Sequence, residues 1–254
     1  MQIRILGCSG GVGHGLRTTS LLIDEDILID AGSGVGDLSL DEMAAVRHIF
    51  LTHSHLDHVA FIPLMLDSIF DHRIEPLMVY GQAVTIEALQ RHIFNWVIWP
   101  DFARLPSSEH PVLRYQVMSP GQVMNMGQRS FEMIPVEHAV PGVGYRVACP
   151  TGVFAFSGDT STNDSFWAGL NAHQRLDLLI VETAFNNADI AISRLAKHYC
   201  PSLLAEDLKK LNHRPEIYIT HNKPGEEDII FAECKAALGK DKLHRLLSGE
   251  ILTI

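Results

Sequence analysis

Residues 49–59 read Ile49-Phe50-Leu51-Thr52-His53-Ser54-His55-Leu56-Asp57-His58-Val59, and this stretch decides how the rest is read. An apolar strand, Ile49–Leu51, runs directly into three imidazoles and a carboxylate held within six positions, and a helical pattern follows at once over Val59–Ser68. In an extended or loop conformation alternate side chains share a face, so His53 and His55 can point the same way. The turn that opens the helix then aims Asp57 and His58 at a neighbouring point. Neutral imidazole and carboxylate are the ligands of borderline first-row cations, zinc above all.

Outward from this loop the chain alternates between strand and helix signals. Strands are predicted at Gln2–Leu6, Ser20–Asp24, Ile27–Asp30 and Arg47–Leu51, with Gly-rich turns over Gly7–Gly15 and Gly32–Gly36. Helices over Val59–Ser68 and Val84–Ile93 flank a strand at Leu77–Tyr80. Four more strands follow: Val112–Val117, Ser130–Val136, Gly144–Ala148 and Val153–Ser157. A helix around Ser165–Ala172, a strand at Leu178–Val181, a helix opened by Pro201, a strand at Ile217–Thr220 and a helix over Glu226–Leu238 complete the reading. Strand runs interleaved with helices give layered α/β packing, and the lack of strict βαβ alternation disfavours a simple doubly wound sheet. No repeat or linker divides the 254 residues, so a single domain is expected. Segment 89–111 stands out as an excursion: Phe94, Trp96, Trp99 and Phe102 are concentrated there before the chain turns Pro- and Ser-rich. Core packing and a substrate-side wall are both open readings for it.

With 46% hydrophobic and 20% charged residues the chain can bury a core and is not a disordered one. No apolar run approaches the ~18–20 residues that span a bilayer, and the first residues alternate like a strand without a signal-peptide core. A soluble, cytoplasmic protein with no membrane partner is expected. The formal charge of −10 argues against a nucleic-acid polymer as partner, because neutralising phosphates calls for a basic patch. Cys8, Cys149, Cys200 and Cys234 are scattered without a CxxC pair, which disfavours a thiolate zinc site or a disulfide framework.

The loop His53-Ser54-His55-Leu56-Asp57-His58 resembles the metal-binding motif of the metallo-β-lactamase superfamily, and the remaining motifs of that superfamily occur in order. Leu28-Ile29-Asp30-Ala31-Gly32 is similar to the element whose Asp buttresses the metal loop. Glu137-His138, Ser157-Gly158-Asp159-Thr160 and Thr220-His221 resemble the three later motifs, each at a predicted strand end. The resemblance implies an αββα sandwich with a dinuclear site along one edge. One metal would take His53, His55 and His138, the other Asp57, His58 and His221, with Asp159 bridging. Two divalent ions are implied, Zn2+ foremost, with Mn2+ or Fe compatible with the same donors. Such a site suits hydrolysis, and Asp57 could orient the attacking water.

Further stretches resemble the class II cyclic-nucleotide phosphodiesterases: Val181-Glu182-Thr183-Ala184-Phe185-Asn186-Asn187, Lys197-His198-Tyr199-Cys200-Pro201-Ser202-Leu203-Leu204, Thr220-His221-Asn222-Lys223-Pro224-Gly225, and Phe94–Phe102. Phe61 and Pro63, after the metal loop, depart from that pattern. By this likeness Glu182 would orient His198, and His198 would protonate the departing oxygen. The implied activity is hydrolysis of 3′,5′-cyclic nucleotides to 5′-nucleoside monophosphates, with a small-molecule phosphodiester as partner and a homodimer as a family-level expectation. Trp96, Trp99 and Phe102 are candidates to stack on the base. The Gly7–Gly13 loop is no Walker loop, since no Gly-Lys-Ser/Thr follows; a structural turn and a substrate-facing wall both fit it. Two alternatives remain at this point. A tRNA 3′-end-processing endonuclease would share the metal motifs and the Glu/His pair but calls for a basic, Gly-rich arm with no clear counterpart here. A non-hydrolytic di-iron sensor would use the same ligands without needing a leaving-group acid.

Overall fold

In the computed structural model, which describes residues 1–72, 75–239 and 241–254, the strands form two seven-stranded sheets. The first runs β1 (Gln2–Gly7), β2 (Ser20–Ile23), β3 (Ile27–Ile29), β4 (His48–Phe50), β5 (Leu77–Gly81) and β6 (Leu113–Val117), with Ile251–Thr253 added at the edge beside β1. The second runs β7 (Val123–Met126), β8 (Arg129–Val136), β9 (Gly142–Ala148), β10 (Val153–Phe156), β11 (Leu178–Glu182), β12 (Glu216–Thr220) and β13 (Leu243–Arg245). Each sheet is antiparallel in one half and parallel in the other, the change falling at β3 and at β10. Parallel neighbours need crossover connections, and helices supply most of them. They are α1 (Leu40–Ala45), α2 (Leu56–Val59), α3 (Phe61–Ser68), α4 (Ala83–His92), α5 (Ser165–Asn171), α6 (Ile190–Ala196), α7 (Pro201–Leu208) and α8 (Glu227–Leu238).

The period-2 alternation of the strands sorts their side chains into three apolar layers. Ile49 and Leu51 face outward onto Ile62, Met65 and Leu66 of α3 and Leu89 of α4. Phe50, between them in sequence, faces inward to the second sheet, where Phe131, Tyr145 and Ile180 meet it in the central layer. Leu179 and Val181 face the opposite way, onto Trp167 of α5, Leu204 of α7 and Ile230 of α8. The order is helix, sheet, sheet, helix: the αββα sandwich that the motifs implied. The Phe50 ring clamps the two sheets, stacking on Tyr80 of its own sheet at 4.5 Å and on Phe131 of the other at 4.3 Å.

The helical pattern over Val59–Ser68 is in fact two helices that meet at Ala60. Pro63 is the reason: it has no N–H to give the Val59 carbonyl, so the bonding ladder breaks one turn after the metal loop. Strands β7, β13 and the C-terminal edge strand, and helices α1 and α6, are additions to the sequence reading. All are short; β7, β13 and the C-terminal strand lie at sheet edges, where alternation is weak.

Segment 89–111 corrects one expectation. Phe102 is 3% exposed and lies in the outer core of the first sheet, with its ring 5.7 Å from Phe70 and 6.1 Å from Phe94. It therefore has no face open to a nucleobase. Trp99 packs against the same cluster, and only Trp96, at φ +64°, stands out in solvent. The segment covers the core, and Phe94, Trp99 and Phe102 pack there.

No helix among the described residues is long and apolar enough to cross a membrane. Phe50→Ala is expected to destabilise the protein by about 3–5 kcal/mol, because it opens a cavity between the sheets. The midpoint of urea unfolding at unchanged m-value measures this.

Candidate metal centre

The predicted ligands all fall just beyond strand ends. His53 follows β4 through Thr52, His55 is the N-cap of α2, and Asp57 and His58 lie in that helix. His138 lies in the turn between β8 and β9, Asp159 three residues after β10, and His221 immediately after β12. The carboxyl ends of parallel strands are where open α/β sheets present their ligand sites. Two backbone features let the chain turn there. Gly158 (φ +60°) has no room for a side chain, since a Cβ would lie 2.7 Å from the Val143 carbonyl oxygen. Asp30 and His221 adopt left-handed conformations at φ +58° and +62°, which cost non-glycine residues about 1–3 kcal/mol and are held by their surroundings.

Two groups of donors result. His53, His55, His138 and Asp159 form one; Asp57, His58, Asp159 and His221 form the other; within each, the donor atoms all lie within 4.8 Å of one another. Asp159 is common to both. Its Oδ2 lies 3.3 Å from Nε2 of His58 and of His221, 3.7 Å from Nε2 of His53 and 3.9 Å from Nε2 of His138. These are the two sets, and the shared carboxylate, that the motifs implied.

A further layer of residues fixes which nitrogen each imidazole presents. Asp30 Oδ1 accepts from the Thr52 N–H at 2.8 Å, and its Oδ2 accepts from Thr52 Oγ1 at 2.7 Å and His58 Nδ1 at 2.7 Å. Thr52 Oγ1, having given its proton to Asp30, accepts from His53 Nδ1 at 2.9 Å. The Lys197 carbonyl accepts from His138 Nδ1 at 2.9 Å, and Thr19 Oγ1 lies 3.3 Å from His221 Nδ1. Four rings are thus tied back through Nδ1 and turn Nε2 inward. His55 differs: its Nδ1 lies 3.1 Å from His138 Nε2, so it presents that nitrogen to the group. Asp30 was legible as a buttress from its motif. Thr19 and the Lys197 carbonyl, at a left-handed helix C-cap, carry no sequence signal because a backbone oxygen and a lone threonine look like any other.

Electrostatics agrees with this arrangement. Burial holds His53 well below the usual imidazole pKa, brings His138 down to about 4 and His221 to about 3, and also lowers His55, so their lone pairs are free near neutral pH. His58 is the exception: burial opposes its protonation, but Asp159 and Asp30 flank it and raise its pKa well above the ordinary value. Burial likewise opposes ionisation of Asp159, yet the imidazoles of His221 and His58 hold its carboxyl well below the usual range. The Nε2 atoms of His53, His58 and His221 are buried without a hydrogen-bond partner. A buried polar atom left unpaired costs about 1–3 kcal/mol, and these three, divided between the two donor groups, are what cations held there would satisfy. The donor set fits a metal centre.

Beside it lies a second device. Glu182, the last residue of β11, is fully buried. Its carboxylate accepts from the N–H groups of Thr160 (2.9 Å), Ala184 (3.0 Å) and Tyr199 (3.3 Å), and from His198 Nδ1 at 2.7 Å. Burial alone would depress His198; the adjoining carboxylate overrides it and raises the pKa. The His198 ring stacks on His221 at 5.4 Å and meets the edge of His138 at 4.8 Å, placing this pair against both donor groups. The Gly-rich N-terminal loop braces the same region: Cys8 O accepts from the His221 N–H at 2.7 Å, and a Cβ on Gly10 would strike the His221 carbonyl oxygen at 2.4 Å.

The family model described as a β-lactamase superfamily domain matches residues 25–221, a span from the strand before Asp30 to His221. The chain belongs to the metallo-β-lactamase superfamily. Two curated relatives share most of its length. A probable 3′,5′-cyclic-nucleotide phosphodiesterase from Yersinia pestis is 30% identical over 83% of this chain and 72% of its own. A ribonuclease Z from Bradyrhizobium is 28% identical over 76% of this chain and 80% of its own. Among solved structures, unliganded yeast PDE1 superposes with a TM-score of 0.82 at 19% identity, covering 100% of this chain and 99% of that one. As a superfamily hydrolase the chain carries a His/Asp cluster able to bind metal.

Two substitutions test the centre. Asp30→Ala frees the His58 and His53 rings and is expected to weaken metal affinity by about 10–100-fold, read by competition with a chromophoric chelator. Asp159→Ala removes the donor shared by both groups; elemental analysis is expected to find less metal per chain, and full retention of two ions excludes the bridging assignment.

Proposed function

We propose that this superfamily hydrolase is a dinuclear metallophosphodiesterase that opens 3′,5′-cyclic nucleotides to 5′-nucleoside monophosphates. One observation carries the reading: the buried Glu182–His198 pair at 2.7 Å, set directly against two donor groups. A thiolate or nitrophenolate leaves without a proton, whereas a ribose 3′-oxygen is a poor leaving group unless it is protonated as it departs. The naming of relatives as cyclic-nucleotide phosphodiesterases supports the same assignment.

Residues His53, His55 and His138 would hold one cation and Asp57, His58 and His221 the other, with Asp159 between them; zinc suits these donors. When bound, such a pair lowers the pKa of a water and polarises a phosphoryl oxygen. The protein's own residues do the rest. Asp57, whose side chain is 31% exposed where that of Asp159 is 3%, reaches the open side and orients the attacking water. His198, held by Glu182, donates its Nε2 proton to the 3′-oxygen as the P–O bond breaks. Glu182 keeps the ring in the tautomer and orientation that this transfer requires.

A second reading follows from the ribonuclease Z relative: cleavage of pre-tRNA by the same pair. The formal charge of −10 weighs against it. Metal-reconstituted protein assayed on cyclic AMP, cyclic GMP, bis-p-nitrophenyl phosphate and a pre-tRNA decides between them. Turnover of the cyclic nucleotides is expected; cleavage of pre-tRNA alone favours the second reading. His198→Ala is expected to lower turnover of cyclic AMP by about 10²–10⁴-fold and that of bis-p-nitrophenyl phosphate far less, since nitrophenolate leaves without a proton. Equal proportional losses on the two substrates rule out the general acid.

A further inference from the structure

We propose that Lys223 is the residue by which the site recognises a negatively charged substrate, its ammonium binding a non-bridging oxygen of the phosphodiester. The inference rests on the phosphodiesterase reading above and adds a specificity residue to it.

Lys223 lies two residues after His221, and its position is fixed at both ends. Its backbone N–H donates to the Ala184 carbonyl at 3.0 Å, which pins its loop to the segment that follows Glu182. Its Nζ donates to the Gly10 carbonyl at 3.0 Å and sits 5.8 Å from the centroid of the Phe185 ring, within reach of a cation–π contact. The Phe185 ring lies 5.8 Å from that of His198. The ammonium is therefore held on the side of the site where the leaving group must be protonated.

Lys197, whose carbonyl orients His138, spends its ammonium on Glu137. Among the described residues no carboxylate lies within ion-pair distance of Lys223, although acidic side chains outnumber basic ones, thirty against twenty. An ammonium has three donors, and one goes to Gly10. The others are left at a half-buried position, where a charge is screened less than at an open surface. A neutral acyl substrate gains only a hydrogen bond from such a group, whereas a phosphodiester anion gains an ion pair as well. Phe185, half-buried between the ammonium and His198, keeps the two cationic groups apart and leaves an apolar face for the substrate's organic portion.

The test compares metal-loaded wild type, Lys223→Gln and Lys223→Arg by two measurements: kcat and KM on bis-p-nitrophenyl phosphate, and calorimetric Kd for adenosine 5′-monophosphate. Lys223→Gln is expected to raise KM and Kd by about 10-fold while kcat stays within about threefold, and Lys223→Arg to recover most of the loss. Metal content stays unchanged in both variants, and added salt weakens binding to wild type more than to Lys223→Gln. Unchanged KM and Kd in Lys223→Gln overturns the proposal, as does lost metal or a loss confined to kcat. If wild type hydrolyses no phosphodiester, the phosphodiesterase reading falls, and the adenosine 5′-monophosphate comparison still decides Lys223. Wild type that binds no adenosine 5′-monophosphate overturns it.

Discussion

The site depends on Asp30 being a buried carboxylate with every oxygen satisfied. An ion removed from water costs several kcal/mol unless hydrogen bonds replace its hydration. Asp30 is fully buried and meets that condition through the Thr52 N–H, the Thr52 hydroxyl and His58 Nδ1. Each of these belongs to the metal loop, so the same bonds that make the carboxylate tolerable also fix the loop's shape. The left-handed backbone at Asp30 is stable for the same reason. With His58 Nδ1–H donating to Asp30 and His53 Nδ1–H donating to Thr52 Oγ1, the Nε2 atoms of both rings can face only inward.

The second sheet repeats the device for a different purpose. Glu182 ends a parallel strand as a buried carboxylate, and three backbone N–H groups and one imidazole satisfy it. Asp30 turns its imidazole into a donor of electrons to a cation; Glu182 turns its own into a donor of a proton. The distinction lies in the neighbours. His58 Nε2 lies inside a group of metal donors, whereas His198 lies against the rings of His138 and His221 and belongs to neither donor group. One architectural unit, a carboxylate at a strand end holding a histidine, thus supplies both halves of a hydrolytic centre.

The sandwich brings these halves together. His53, His55, Asp57 and His58 come from the first sheet, and His138, Asp159, Glu182 and His221 from the second. Relative sliding of the sheets would pull Asp159 away from His58 and His53. The stack of Phe50 on Phe131 resists that sliding in the layer beneath, so apolar packing in the central core sets the geometry of a polar site at its edge. The Gly-rich loop closes the arrangement from the N-terminus by pairing with His221 and Asn222, which is why backbone without side chains is needed there.

Much of this was legible in the chain alone, because metal ligands must be few residue types at short spacing. His53, His55, Asp57 and His58 declare themselves by density, and Asp30, His138, Asp159 and His221 by motifs that follow strand signals. Ile49, Phe50 and Leu51 are all apolar, so the sequence located the strand while only the fold decides which side chain faces which layer. Sequence could not decide the aromatic segment: Phe102 and Trp99 are apolar rings whether they face a nucleobase or a core, and only packing against Phe70 and Phe94 assigns them to the core. Nor could it reveal Thr19, the Lys197 carbonyl or the position of Lys223, since their roles come from approaches across long stretches of chain rather than from residue type. Local spacing fixes which groups can bind a cation, while tertiary contact fixes which nitrogen faces inward and which charge goes unpaired, because those depend on neighbours brought from the other sheet.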